Sequence, residues 1–143
     1  RFALELADAA HALVPFAPDS NLVCLALNPR GNRSVPEANR FMRRLYGELK
    51  SDPRQPLQVK EFFGSMTSLR PELLGTAETR RILGALDLDP ASFDAEDDKL
   101  FILRHTLMNP YLIDRENGIS YMQRYFDFLA RRVRALTHQE TPR

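Results

Sequence analysis

The chain has little cysteine, little net charge and no long apolar run. Cys24 is the single cysteine in 143 residues, so no disulfide framework can form, which suits a reducing compartment. It lies in an apolar stretch with no histidine beside it, the setting of a small core residue and not of a nucleophile. The formal net charge is +1, which gives no electrostatic case for binding nucleic acid or an anionic membrane. No apolar run approaches the ~20 residues that cross a bilayer, and no signal peptide is visible, so a cytoplasmic protein without a membrane partner is expected. Gly75 and Gly84 stand alone, and no glycine-rich phosphate loop is present. His11, His105 and His138 are far apart and no Cys-x-x-Cys occurs, so no metal site is expected. A Gly-x-Ser-x-Gly nucleophile elbow, internal repeats and low-complexity segments are also missing.

What is present is ordinary in bulk: 43% hydrophobic and 27% charged residues, as in a soluble globular protein, with enough length for one domain and a real core. Residues 100–110, Leu100-Phe-Ile-Leu-Arg104-His-Thr-Leu-Met-Asn109-Pro110, organise the rest. Both alternating faces are apolar, the mark of a strand interior to a sheet. Arg104 interrupts it. A guanidinium cannot lose its proton, and burying one without an anion is costly. Arg104 therefore either forms a structural ion pair within its own chain or receives an anion from outside.

Taken in order, Phe2, Leu6, Ala9 and Leu13 recur at helical spacing and predict a helix over residues 2–14, stopped by Pro15 and Pro18. Residues 21–27 read as a buried strand closed by Asn28-Pro29, just as Asn109-Pro110 closes the strand from Leu100. Ser34 and Glu37 form a capping box with Pro36 in the first turn, opening a helix with Ala38, Phe41, Met42, Leu45 and Leu49 on one stripe. Residues 59–69 predict a more polar strand with Gly64 inside it, hence an edge. A short helix over 76–86, an acidic loop over 87–98, a loop over 111–117 and a closing helix over 119–136 complete the chain, with residues 137–143 as a frayed tail. A right-handed crossover makes the first two strands parallel, and the strand from Leu100 fits between them, antiparallel to both. The expected fold is α+β: a two-layer sandwich whose mostly antiparallel sheet has three strands, or four, with helices on one face.

Three segments carry a family resemblance. Phe101-Ile-Leu-Arg104-His-Thr-Leu-Met-Asn109-Pro110 resembles the last strand of the group II pyridoxal-phosphate-dependent decarboxylases, which act on glutamate, tyrosine, aspartate or aromatic amino acids. Asn21-Leu-Val-Cys-Leu-Ala-Leu-Asn28-Pro29 resembles the first strand of their C-terminal small domain, and Glu61-Phe-Phe-Gly-Ser-Met-Thr-Ser-Leu69 its middle strand. The closing helix matches as well, so the resemblance spans most of the chain and implies the C-terminal domain fold of fold-type I pyridoxal-phosphate enzymes.

The resemblance also shows what the chain lacks. In that family a lysine that follows a histidine forms a Schiff base with the cofactor. Lys50, Lys60 and Lys99 are the lysines here, preceded by Leu49, Val59 and Asp98. The aspartate that pairs with the pyridinium nitrogen and the phosphate-binding loop have no match either. Together with a first residue, Arg1, that is not methionine, this implies that residues 1–143 form a single small domain, the C-terminal piece of a longer decarboxylase. The missing large domain, a second copy in a homodimer and the amino-acid substrate would be its partners. Pyridoxal phosphate would serve the full-length enzyme, with none bound by the fragment alone, which would be inactive. The resemblance assigns no catalytic residue here. It carries over one position, Arg104, as a substrate-binding arginine that faces the substrate carboxylate in glutamate-type members. The competing expectation is a stand-alone ferredoxin-like module that binds a ligand or partner without chemistry.

Overall fold

Backbone pairing places β4 (Leu100–Thr106) at the middle of the molecule. In the computed structural model, which describes residues 1–18, 20–56, 60–93, 98–107 and 112–139, β4 pairs antiparallel with β2 (Leu22–Pro29) and with β3 (Ser65–Leu69). The three long strands thus lie in the expected order, and β2 and β3 run parallel with α2 (Val35–Leu49) in their crossover. Met108, Asn109 and Pro110, the predicted end of the central strand, lie outside the described residues, as does Val59 at the predicted start of β3.

The predicted helix over 2–14 is corrected. Only α1 (Phe2–Glu5) is helical; the chain turns through Leu6–Ala9 and β1 (Ala10–Leu13) pairs antiparallel with β2, Ala10 opposite Pro29 and Leu13 opposite Ala26. The helical spacing came from residues buried for another reason. Leu6 is fully buried under the last helix, whereas Ala10–Leu13 supplies backbone partners to the outer edge of β2, which would otherwise be bare. The sheet order is β1-β2-β4-β3.

Alternate side chains of β4 enter two different clusters. Phe101 and Leu103 join Leu25 and Leu27 of β2 beneath Phe41, Met42, Leu45 and Leu49 of α2 and Phe128, Leu129 and Val133 of α5 (Tyr121–Gln139). Leu100 and Ile102 join Ala26 and the α4 (Thr76–Ala85) residues Ile82 and Leu83. The two long helices therefore share one face, as expected of the α+β sandwich, and the short α4 lies against the Leu100 end of the other. A four-residue helix, α3 (Pro71–Leu74), leads into α4.

Local chemistry explains the joints. Ser34 Oγ accepts the Glu37 amide at 3.4 Å, but the return arm of the expected capping box is absent: the Glu37 carboxylate holds Arg40 at 2.6 Å, and the Ser34 amide donates to Asn32 Oδ1 at 2.9 Å. Asn39 interrupts the apolar stripe of α2 because its fully buried amide clamps β4, donating to Lys99 O at 2.7 Å and accepting from Phe101 N at 2.8 Å. At Gly64 a Cβ would meet Leu49 Cδ1 at 3.1 Å, so only glycine lets the chain pass under α2 on its way to β3. That passage replaces the predicted strand over 60–64. Ile113–Asp114 of the predicted loop pairs with Ile119–Ser120, the predicted start of the closing helix, in a small ribbon, β5 and β6. The closing helix follows at Tyr121 and extends to Gln139, and residues 140–143 of the expected tail lie outside the described residues.

Candidate functional site

Arg104 sits in the row of the sheet where helical cover runs out. Cys24 on β2 and Ser65 on β3 are its register partners, so the three side chains share one face. By alternation this is the face of Leu100 and Ile102. Those two are buried against α4, but Arg104 and Thr106 farther along β4 are exposed. The sequence places a cation in an apolar strand; the structure places it beyond the end of the core, so its charge stays in water.

The guanidinium is tied at one point. Arg104 Nε donates to Ser65 Oγ at 3.3 Å, and the same hydroxyl donates to Arg104 O at 2.9 Å. Among the described residues no carboxylate pairs with Arg104 and its terminal nitrogens have no hydrogen-bond partner. Cys24 is half-buried beside it. Burial pushes the thiol above its ordinary value and the Arg104 charge pulls the other way, so Cys24 remains a protonated wall residue.

The opposite face of the same strand end carries His105. Its Nδ1 stands 3.1 Å from Val23 O, and its Nε2 stands 2.5 Å from the Tyr125 hydroxyl. A carbonyl can only accept, so Nδ1 bears the proton and Tyr125 donates to Nε2. Burial pushes His105 below its ordinary value and Tyr125 above its own, so both are neutral near pH 7. Both nitrogens are engaged, as expected of a core histidine, and the pair straps β4 to α5. Tyr125 and Ser65 carried no signal in the sequence: one is on an aromatic-rich helix stripe, the other on a polar strand.

Neither a Schiff-base lysine nor a phosphate cradle is found among the described residues. Lys50 is exposed at the end of α2, Lys99 lies 3.5 Å from Asp98, and Lys60 donates to Gly47 O at 2.7 Å. Lys60 also lines an open cleft of about 170 Å³ with Asp52, Gln55, Pro56 and Phe63, where a carboxylate would repel phosphate. These residues do not fit pyridoxal phosphate. Nor do the described residues hold any cluster of three or more histidine, cysteine or carboxylate groups suited to a metal ion, and none of their helices is long and apolar enough to cross a membrane.

A family model described as "Tyrosine decarboxylase, C-terminal" matches residues 5–133. The chain belongs to this family. The match begins at the last residue of α1 and reaches well into α5, so it covers the whole sheet, α2 and most of α5. No curated protein matches the chain. These are the elements of a C-terminal domain, and Arg104 is an exposed cation on their central strand.

Proposed function

We propose that this domain completes the substrate pocket of a pyridoxal-phosphate-dependent amino-acid decarboxylase and that Arg104 receives the substrate carboxylate. The observation that carries this is the guanidinium on the central strand, exposed, hydrogen-bonded only through Nε, and without a carboxylate among the described residues. An arginine offers a planar fork to a carboxylate, and its two terminal nitrogens are the part left open here.

The surroundings support a seat for a second domain at the same end of the sheet. Leu22, Phe63 and Leu107 flank the strand ends there, with 40–48% of their surface exposed. An apolar rim around a charge is what a pocket shared between two domains requires. A self-contained regulatory module would have covered it. The large domain of the full-length enzyme would hold pyridoxal phosphate, whose ring takes up the electrons freed when the carboxylate departs. This chain's part is binding and orientation, within a homodimer of the full-length enzyme; alone it would be inactive.

The family's name points to tyrosine, which has one carboxylate, the one that leaves. An arginine that holds the carboxylate about equally in the bound substrate and in the transition state contributes uniform binding, so its removal acts mainly on KM. In the full-length enzyme, Arg104→Met should lower kcat/KM by roughly 2–5 kcal/mol in transition-state terms, mostly through KM. The stability of the 143-residue chain should change by less than about 0.5 kcal/mol, because an exposed side chain without an ion pair is removed. Unchanged kcat/KM would overturn the assignment.

A further inference from the structure

The geometry points to Ser65 as a positioning residue that sets the direction of the Arg104 guanidinium. This rests on the carboxylate-binding reading of Arg104. Ser65 is the first residue of β3 and stands directly opposite Arg104 in the β3–β4 register. Its hydroxyl is used in both directions: the O–H donates to Arg104 O at 2.9 Å, and the oxygen accepts from Arg104 Nε at 3.3 Å. The first bond aims the lone pairs of Ser65, and the second uses one of them. Arginine has four flexible torsions, and an exposed one samples many rotamers whose ordering costs up to about 2 kcal/mol. Fixing Nε restricts the planar head and leaves both Nη groups, which have no hydrogen-bond partner among the described residues, for a bidentate pair with a carboxylate. Cys24 closes the other side of the row with a half-buried, protonated thiol, which offers the guanidinium no competing anion.

Edge-strand position makes this separable from folding. Ser65 is half-buried on a strand paired on one side only, so truncating it removes no core contact. In the full-length decarboxylase, Ser65→Ala is expected to raise KM for the amino-acid substrate about fivefold while kcat stays within about twofold, the size of one modest hydrogen bond lost from ground-state binding. Ser65→Thr keeps the hydroxyl and should restore KM. Inhibition by the product amine, which has no carboxylate, should be the same in all three proteins. A second readout uses no turnover: in the ¹⁵N-labelled chain the Arg104 Nε–H should exchange faster with water in Ser65→Ala than in the parent sequence or Ser65→Thr. If Arg104→Met raises KM but Ser65→Ala changes neither KM nor Nε–H exchange, the positioning role is wrong and the carboxylate reading stands. If Arg104→Met leaves KM unchanged, the carboxylate reading fails and takes this proposal with it. Equal loss in Ser65→Ala and Ser65→Thr, or a matching change in amine inhibition, would assign Ser65 a structural role and overturn the inference.

Discussion

Replacing Asn39 by alanine tests how the strand that carries Arg104 is held. Asn39 is fully buried, and its side chain satisfies two backbone groups at the start of β4, Lys99 O at 2.7 Å and Phe101 N at 2.8 Å. Asn39→Ala removes both partners at once. A buried backbone group left unpaired costs about 1–3 kcal/mol, and some relief comes from water entering at the strand end, so the expected loss is about 2–4 kcal/mol. That is a large share of the roughly 5–15 kcal/mol that holds a domain folded. Urea unfolding of the chain followed by far-ultraviolet circular dichroism should show the midpoint falling by about 1–3 M, for a slope near the usual 1–3 kcal/mol per M. Amide exchange at Phe101, whose N–H the Asn39 side chain accepts, should quicken by far more than at Leu25, which is buried in the same sheet. A midpoint shift below about 0.3 M, or no selective change at Phe101, would show that the clamp is not what anchors β4 and would refute the accounting used here.

Stability should fall as pH drops below about 6.5, the ordinary histidine value in the unfolded chain, because burial depresses both His105 and His11 in the folded state and protons therefore bind the unfolded form first. The loss should run from that value down through the folded-state one, and His105→Gln should flatten the slope measured by urea titrations between about pH 5 and 8; an unchanged slope would remove His105 from the account. Gly64→Ala should cost about 1–2 kcal/mol in the same assay, since the new Cβ meets Leu49 Cδ1 at 3.1 Å and Leu49 is fully buried with little room to yield; a neutral result would mean that the 60–64 segment shifts freely.

Most of the sheet was legible in the sequence because its signals are local. Apolarity on both faces of residues 100–103 marks a strand interior to a sheet, and there Phe101 and Leu103 enter one cluster and Leu100 and Ile102 the other; that α4 covers the second face was not expected. The Ser34 cap and the apolar stripe of α2 were equally plain. β1 was not, because its reason lies in another segment: Ala10–Leu13 is a strand only because the edge of β2 needs partners, and four residues of Ala-His-Ala-Leu hold no preference strong enough to announce it. Arg104 was visible as a lone cation in an apolar run, but its exposure depends on where α4 stops along the sheet, a tertiary fact. Ser65 gave no sign at all, since its importance comes from register, which one strand's sequence does not contain.

The two halves of β4 do different work, and the division follows from what covers them. Leu100, Ile102 and Leu103 are sealed between helices, and Asn39 fixes the strand's beginning; substitutions there act on folding. From Arg104 onward one face of the strand is open, and on the other face the His105–Tyr125 strap takes over the task of holding it to α5. That strap is neutral and faces away from Arg104, so it can fix the backbone without offering the guanidinium a counter-charge. On the open side Ser65 fixes the guanidinium's inner nitrogen with an uncharged oxygen. Among the described residues, the groups that hold this stretch of strand leave the arginine's charge uncompensated. The position lies past the α4 cluster, so an apolar side chain there would stay exposed and change the stability of the fold little. On the proposed reading an anion from outside the domain completes the site, so Arg104 should register in binding and leave the fold almost untouched.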